Sequence, residues 1–275
     1  MSKRSAYVLE SREEFERLEK QSATPAYDYR EELAWVQPLL QKLNPRRILD
    51  AGCGSGIVSR YLAEVFAEAE VVGCDGSEVR MAQARDASMG IPNLAFQHGQ
   101  LESLGYKSNH FDFILCRFVL EHMSPDKRLS ALKEMARCLR PGGLLCVIDV
   151  DGLLCNVSPV SAKMQGQLDL LSRSESVDLF VGRKIPALLA EIGLKNVDWD
   201  IQARNFRGTL LQTEITLTQE RFELAHGFFV SVLGSEAAAR QFKEEYLKTL
   251  RIPGCALFYN MFTVVATKDG PQIVK

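Results

Sequence analysis

Three glycines at alternate positions, Gly52, Gly54 and Gly56 in "ILDAGCGSGIV", directly follow an apolar run and an aspartate. A glycine has no side chain, so it adopts positive φ freely and lets another molecule come against the backbone. Residues 47–51 read as a short buried strand, and residues 57–63 as the first turns of a helix. A strand, a glycine turn and a helix N-terminus make a cofactor loop wherever a parallel sheet surrounds them.

The next hundred residues supply that context. Strand patterns fall at 46–51, 70–75, 94–98, 111–117 and 143–150, and helical patterns at 56–66, 77–88 and 125–139. Ser77 stands as the N-cap of the second helix, with Gly90 just past its end. The third has Ser124 as cap, Pro125 at the first position, and Leu129, Leu132, Met135 and Leu139 on one face before "RPGG". This alternation predicts an α/β fold: right-handed βαβ units in a Rossmann-like, doubly wound, mostly parallel sheet of seven strands. Beyond residue 150 the pattern loosens into helices at 158–172 and 183–192 and strands at 196–203 and 257–267. A mostly helical stretch at 218–250 lies between those strands. Helices not needed as crossovers often cap a ligand crevice. The chain is expected to be one domain, with an N-terminal helical cap (1–45), a cofactor-binding core (46–151), and the rest of the sheet (152–275) carrying helical insertions at about 155–180 and 205–256.

Composition excludes several functions. Of 275 residues, 46% are hydrophobic and 25% charged, enough for an ordinary core, and the net charge of −2 argues against binding nucleic acid phosphates. No apolar run approaches the ~20 residues of a membrane span. "MSKRSAYVLESREEFERLEKQ" lacks the apolar centre of a signal peptide, so a cytoplasmic location is expected. The seven cysteines form no C-x-x-C pair and no zinc-ligand spacing, which predicts reduced thiols and no metal site.

The glycine turn departs from the nicotinamide fingerprint, because its third glycine comes one residue early, and it lacks the Lys-Ser/Thr of a P-loop. Asp75, about 25 residues beyond Asp50, ends the next strand, where a carboxylate can accept both ribose hydroxyls of an adenosine. With "ILDAGCGSG", "VVGCDGS", "FQHGQLESLGYKSNHFDFILCRFVLEHM" and "LRPGGLLCVIDVD" in this order, residues 46–150 resemble the class I S-adenosylmethionine-dependent methyltransferases, of the type 11/25-like branch that methylates small molecules.

The resemblance implies roles. Gly52 and Gly54, with Ala51 nearby, would line the methionine end of S-adenosylmethionine. Asp50 would hold the loop and help receive the ammonium, and Asp75 would bind the ribose. Gly76 and Met81 would pack about the adenine. Gln100 stands where the family usually has aspartate; its side-chain oxygen would accept from the adenine amine, with the backbone of Leu101 beside it. Cys116 and Arg117 would meet the methionine group through their backbone. In relatives, N-terminal segments close over the cofactor, which makes Gln21, Tyr27 and Tyr29 candidates to reach inward. The alternative is a helix that merely packs on the sheet.

Methyl transfer from a sulfonium needs alignment, exclusion of water and, for a hydroxyl or protonated amine, a general base. His122, just past the fourth strand, is the candidate base, against the plainer reading of a helix-capping histidine. Glu121 reads as structural. One of Asp149 and Asp151 could orient an acceptor, or cap a helix. Metal-binding relatives need an acidic residue where this chain has Phe118, and the Asn/Asp-Pro-Pro-aromatic run of enzymes acting on nucleic acid amines is missing. The expectation is therefore a methyltransferase for O, N or C of a small, partly apolar acceptor, acting as monomer or homodimer. A non-catalytic cofactor-binding partner subunit is the alternative.

Overall fold

Strands buried on both faces need continuous apolar runs, and the middle of this sheet has them. In the computed structural model, which describes residues 12–270, the chain runs through eleven α-helices and eight strands among those residues. Three helices come first: α1 (Arg12–Ser22), α2 (Tyr29–Ala34) and α3 (Gln37–Leu43). The alternating core follows as β1 (Arg47–Ala51), α4 (Ile57–Val65), β2 (Glu70–Asp75), α5 (Glu78–Ala87), β3 (Leu94–His98), β4 (Phe111–Arg117), α6 (Pro125–Cys138) and β5 (Leu139–Asp151). The remainder is β6 (Val157–Ser158), α7 (Ala162–Ser172), α8 (Ile185–Glu191), β7 (Lys195–Phe206), α9 (Gly208–Leu224), α10 (His226–Leu233), α11 (Glu236–Thr249) and β8 (Ala256–Thr267).

The sheet order is β3-β2-β1-β4-β5-β8, with β7 beyond β8 and the two-residue β6 extending the β5 side. β1 to β5 pair in parallel, as the βαβ pattern predicts. Alternation along the strands splits the core into two layers. Ile48, Phe113, Leu115, Cys146 and Ile148 face one, and Leu49, Ile114, Cys116, Leu145 and Val147 the other. The cysteines of these strands are buried and unbonded, small hydrophobes as expected.

Among the described residues only β8 reverses the parallel pattern, for a topological reason. β7 is antiparallel to β8 and β8 to β5, so β7 runs with β5 and ends at the same carboxyl edge. Helices α9 to α11 begin and finish above that edge, so β8 can only return downward between β5 and β7. The helical insertion therefore sits over the edge where open α/β sheets bind ligands.

Local signals held at Ser77, whose hydroxyl accepts the Arg80 N–H at 3.3 Å. They failed at Ser124, which makes no side-chain cap bond; Pro125 starts α6 with its missing donor and preset φ.

Gly56 takes φ 75° at the mouth of α4, and a Cβ there would come within 2.6 Å of the Phe96 ring. Positive φ and a clash both penalise a side chain. Gly56→Ala should lower unfolding free energy by about 2–4 kcal/mol, measured by urea denaturation, whereas Gly193→Ala, with open space around it, should suffer only the φ cost.

Candidate active site

The glycine turn is held from the neighbouring strand. Gly52 N–H and Cys53 N–H both donate to the Cys74 carbonyl, at 2.7 and 3.1 Å, and Gly54 N–H donates to Asp75 Oδ2 at 3.0 Å. Gly52, Gly54 and Gly56 have φ of 80°, 54° and 75°. A Cβ on Gly52 would lie 2.3 Å from Val119 Cγ2, so only glycine lets the turn pass this close to the segment after β4.

Two carboxylates flank the turn. Asp50 is buried and accepts the Ser59 hydroxyl at 2.6 Å, tying the end of β1 to α4. Burial raises its carboxyl to about 6, against the Ser59 bond and the charge of Arg117, which lower it. Asp75 is also buried. Its Oδ1 accepts from Ser77 N–H at 2.9 Å and from Arg80 Nε and Nη2 at 3.2 and 2.7 Å.

Between these groups opens a crevice of about 660 Å³. Its floor is Asp50, the glycine turn and Asp75; one side is Gly76, Arg80, Gly99, Gln100, Leu101 and Glu102. The other is Arg117, Phe118, Val119, His122, Met123 and Lys127, with Leu18 and Ser22 of α1 above. Gln100 packs against Gly76: a Cβ on that glycine would meet its Nε2 at 3.2 Å. Arg60 anchors α1 over the turn through Glu19 (2.8 Å) and the Ser55 carbonyl (3.1 Å).

Of the residues named from sequence, Asp50, Gly52, Gly54, Asp75, Gly76, Gln100, Leu101, Arg117 and His122 line this crevice together. Five do not. Met81 is fully buried, its sulfur 4.0 Å from Cys53 Sγ, because one residue of helix turns it by about 100° and brings Arg80 to the crevice instead. Ala51 and Cys116 are fully buried in the core layer of Leu49 and Ile114, set there by strand alternation. Gln21 turns onto Arg17 at 2.5 Å. Tyr29 packs its ring 5.2 Å from Tyr61.

Tyr27 reaches inward to a different place. Its hydroxyl donates to Glu214 of α9 and accepts from Arg221 Nη2, each at 3.1 Å, and Thr218 donates to the same carboxylate at 3.2 Å. Burial, helped by Glu214, pushes the phenol well above its usual range. Arg117 completes this anchorage: Nε donates to Glu32 at 2.5 Å and Nη2 to the Tyr27 carbonyl at 3.0 Å. The N-terminal segment is thus bolted both to β4 and to the helical insertion.

At the far end of the crevice His122 Nε2 lies 3.4 Å from Glu121 Oε1, with 30% of the His122 side chain exposed. Glu121 is buried and its Oε2 finds no hydrogen-bond partner. Asp149 sits beneath, accepting N–H bonds from Leu120 (3.0 Å), Glu121 (3.3 Å) and Val150 (2.9 Å). Burial raises Glu121 to about 7, and burial plus the Glu121 charge raises Asp149 to about 8. Both carboxyls are thus held above the usual carboxylate range, chiefly by burial. Asp149 therefore caps the turn bearing Glu121 and His122, whereas Asp151 is taken by Arg183 at 2.6 and 2.7 Å. His98, His110 and His226 lie outside the crevice. His98 bonds the Gly76 carbonyl at 3.1 Å, His110 stacks on Tyr106, and His226 pairs with Glu236 at 2.7 Å.

Sequence reading missed Arg80, Leu18 and Lys127. Arg80 carried a usable signal: it stands three residues after an N-cap and beside the buried Met81, where a solvated arginine is out of place. No helix among the described residues is long and apolar enough to cross a membrane.

This geometry, a glycine turn between two carboxylates at a parallel-sheet edge, agrees with what known proteins show. Residues 48–143 match the family described as a methyltransferase domain. A probable methyltransferase, ltbC, from Aspergillus luteorubrus is 35% identical over 127 residues, 43% of this chain and 44% of its own. A ubiquinone biosynthesis O-methyltransferase from Bordetella avium is 33% identical over 114 residues, 40% of this chain and 45% of its own. The chain spans about half the length of the curated relatives it matches. A putative sarcosine dimethylglycine methyltransferase from Galdieria sulphuraria shares the fold, with a TM-score of 0.55 at 19% identity over 88% of this chain and 85% of that one. Residues 48–143 are a class I methyltransferase domain of the type 11/25 kind, and the cofactor of that class is S-adenosylmethionine.

Two pH effects follow. The folded-state value of Asp50 lies above its unfolded one, so the stability its proton contributes declines as pH rises from about 4 to 6, and urea denaturation of Asp50→Asn should lose that slope. The folded-state values of Glu121 and Asp149 lie above their unfolded ones, so the folded protein holds more protons and stability declines as pH rises through 7 and 8. Thermal melts from pH 6.5 to 9 should show that decline, and Glu121→Gln should flatten it.

Proposed function

We propose that this protein is an S-adenosylmethionine-dependent methyltransferase acting on O, N or C of a small, partly apolar molecule in the cytoplasm. The observation that carries the reading is the crevice itself, where the glycine turn, Asp50, Asp75 and Gln100 face one enclosed space roofed by α1. Glycines whose Cβ would collide, at Gly52, and a carboxylate ending β2 fit the methionine and ribose parts of that cofactor. The family match and relatives named for small-molecule methylation support the same reading. We read the whole chain as one such domain, closed by its N-terminal segment and helical insertions.

When bound, the cofactor supplies an electrophilic methyl on a sulfonium. The chain's part is to align and to manage a proton. In this reading Asp75 accepts the ribose hydroxyls, Gln100 accepts from the adenine amine, and Asp50 attracts the ammonium. The backbone of Gly52 and Gly54 lies against the methionine portion, beside Arg117. Leu18 and Ser22 of α1 exclude water above the turn, which favours an in-line approach by holding both partners in one geometry. His122 takes the proton of a hydroxyl or amine acceptor, with Glu121, 3.4 Å from its Nε2, stabilising the imidazolium that results. The aromatic side of Phe118, stacked at 4.0 Å on Arg117, offers the acceptor an apolar wall.

Calorimetric titration with S-adenosylhomocysteine tests the cofactor assignment. Binding at micromolar Kd is expected, weakened about a hundredfold in Asp75→Ala, where two charge-assisted hydrogen bonds are lost. Absence of binding to the wild type would refute it. With an acceptor found by screening phenols, carboxylates and amines, His122→Ala should lower kcat by about 10²–10⁴ while leaving S-adenosylhomocysteine affinity within about twofold.

A further inference from the structure

One guanidinium occupies the position from which the ribose-binding carboxylate would work. Asp75 Oδ1 accepts three bonds, from Ser77 N–H at 2.9 Å and from Nε and Nη2 of Arg80 at 3.2 and 2.7 Å. Oδ2 accepts one, from Gly54 N–H at 3.0 Å. A carboxylate oxygen has two lone pairs, so Oδ1 is saturated and Oδ2 has room for a single further donor. A ribose diol brings two donors. Both side chains of the ion pair are nearly solvent-free, with 5% of Arg80 and 8% of Asp75 exposed, and both belong to the wall of the crevice. Water therefore weakens this contact little.

Arg80 is not needed to complete its helix. The α5 N-terminus is capped by the Ser77 hydroxyl through the Arg80 backbone, which any residue supplies. The Asp75 carboxylate already takes the N–H groups of Gly54 and Ser77, so its position at the end of β2 is set by the backbone alone. The arginine side chain adds a competitor, and nothing in turn or helix geometry requires it.

We propose that Arg80 acts as an internal competitor for the cofactor's ribose: its guanidinium must leave Asp75 Oδ1 before the diol can engage both carboxylate oxygens, so Arg80 sets cofactor affinity lower than the same site would have without it. This rests on the cofactor reading above. The consequence is that a residue of the binding wall opposes binding, the reverse of what its charge and place beside Asp75 would suggest. The free protein keeps its buried carboxylate paired, and the cost of breaking that pair is taken from the affinity.

The test is calorimetric titration of the wild type, Arg80→Met, Arg80→Lys, Asp75→Ala, Asp75→Asn and Asp75→Asn/Arg80→Met with S-adenosylhomocysteine. Arg80→Met is expected to bind about tenfold more tightly than the wild type. Arg80→Lys, which loses the two-pronged contact, should bind about threefold more tightly and serves if the methionine variant is unstable. In the Asp75→Asn background the Arg80 substitution should change affinity by less than about twofold, because the competition is for the carboxylate. Equal or weaker binding by both Arg80 variants, with Asp75→Ala still weakening binding about a hundredfold, would overturn this inference and leave the cofactor assignment intact. Failure of wild type and variants alike to bind would overturn both.

Discussion

The carboxyl end of β2 governs this molecule. The Cys74 carbonyl takes the N–H groups of Gly52 and Cys53, and Asp75 takes that of Gly54, so the turn after β1 is held by its neighbour strand rather than by itself. Three left-handed glycines could adopt many paths; these bonds select one. Asp50 then fixes α4 to β1 through Ser59. Once the turn is placed, α4, the approach of Val119 and the floor of the crevice follow from it.

Around that floor the chain concentrates charge in low dielectric. At Asp50, Glu121 and Asp149 burial outweighs the nearby cationic groups and drives each carboxyl upward, whereas Glu32 and Asp75 are held directly by Arg117 and Arg80. The division is physically sensible. Matched pairs hold segments together: Arg117 with Glu32 ties the N-terminal helices to β4, and Arg221 with Glu214 and Tyr27 ties them to α9. Unmatched carboxylates near a crevice remain available to a cation or a proton.

The parallel half of the fold was legible because each of its elements announces itself locally. Apolar runs gave β1, β2, β4 and β5, and the Ser77 cap and glycine stops bounded α5. Met81 was named for the crevice wall, but Arg80 lines it and Met81 is buried, since a helix phase is fixed only by what it packs against, here Cys53 and Phe96. Tyr29 and Gln21 lie off the crevice for a similar reason. The N-terminal segment carries several aromatic and polar residues, and only the partners Glu214, Arg221 and Tyr61 decide which of them turns inward.

What the sequence by itself determined is the chemistry of the turn: glycine at 52, 54 and 56, Asp50 before it, Asp75 one strand on, and with them a nucleotide-type crevice at a parallel-sheet edge. These are short-range facts, set by backbone freedom and by residue order along adjacent βα units. Only the tertiary structure decided that Arg80 lies on Asp75, that Glu121 and Asp149 share a buried space with His122 above them, and that α1 roofs the glycines. Each of those brings together side chains through burial and pairing across separate elements, and no local pattern in a chain records which distant group will be there to meet it.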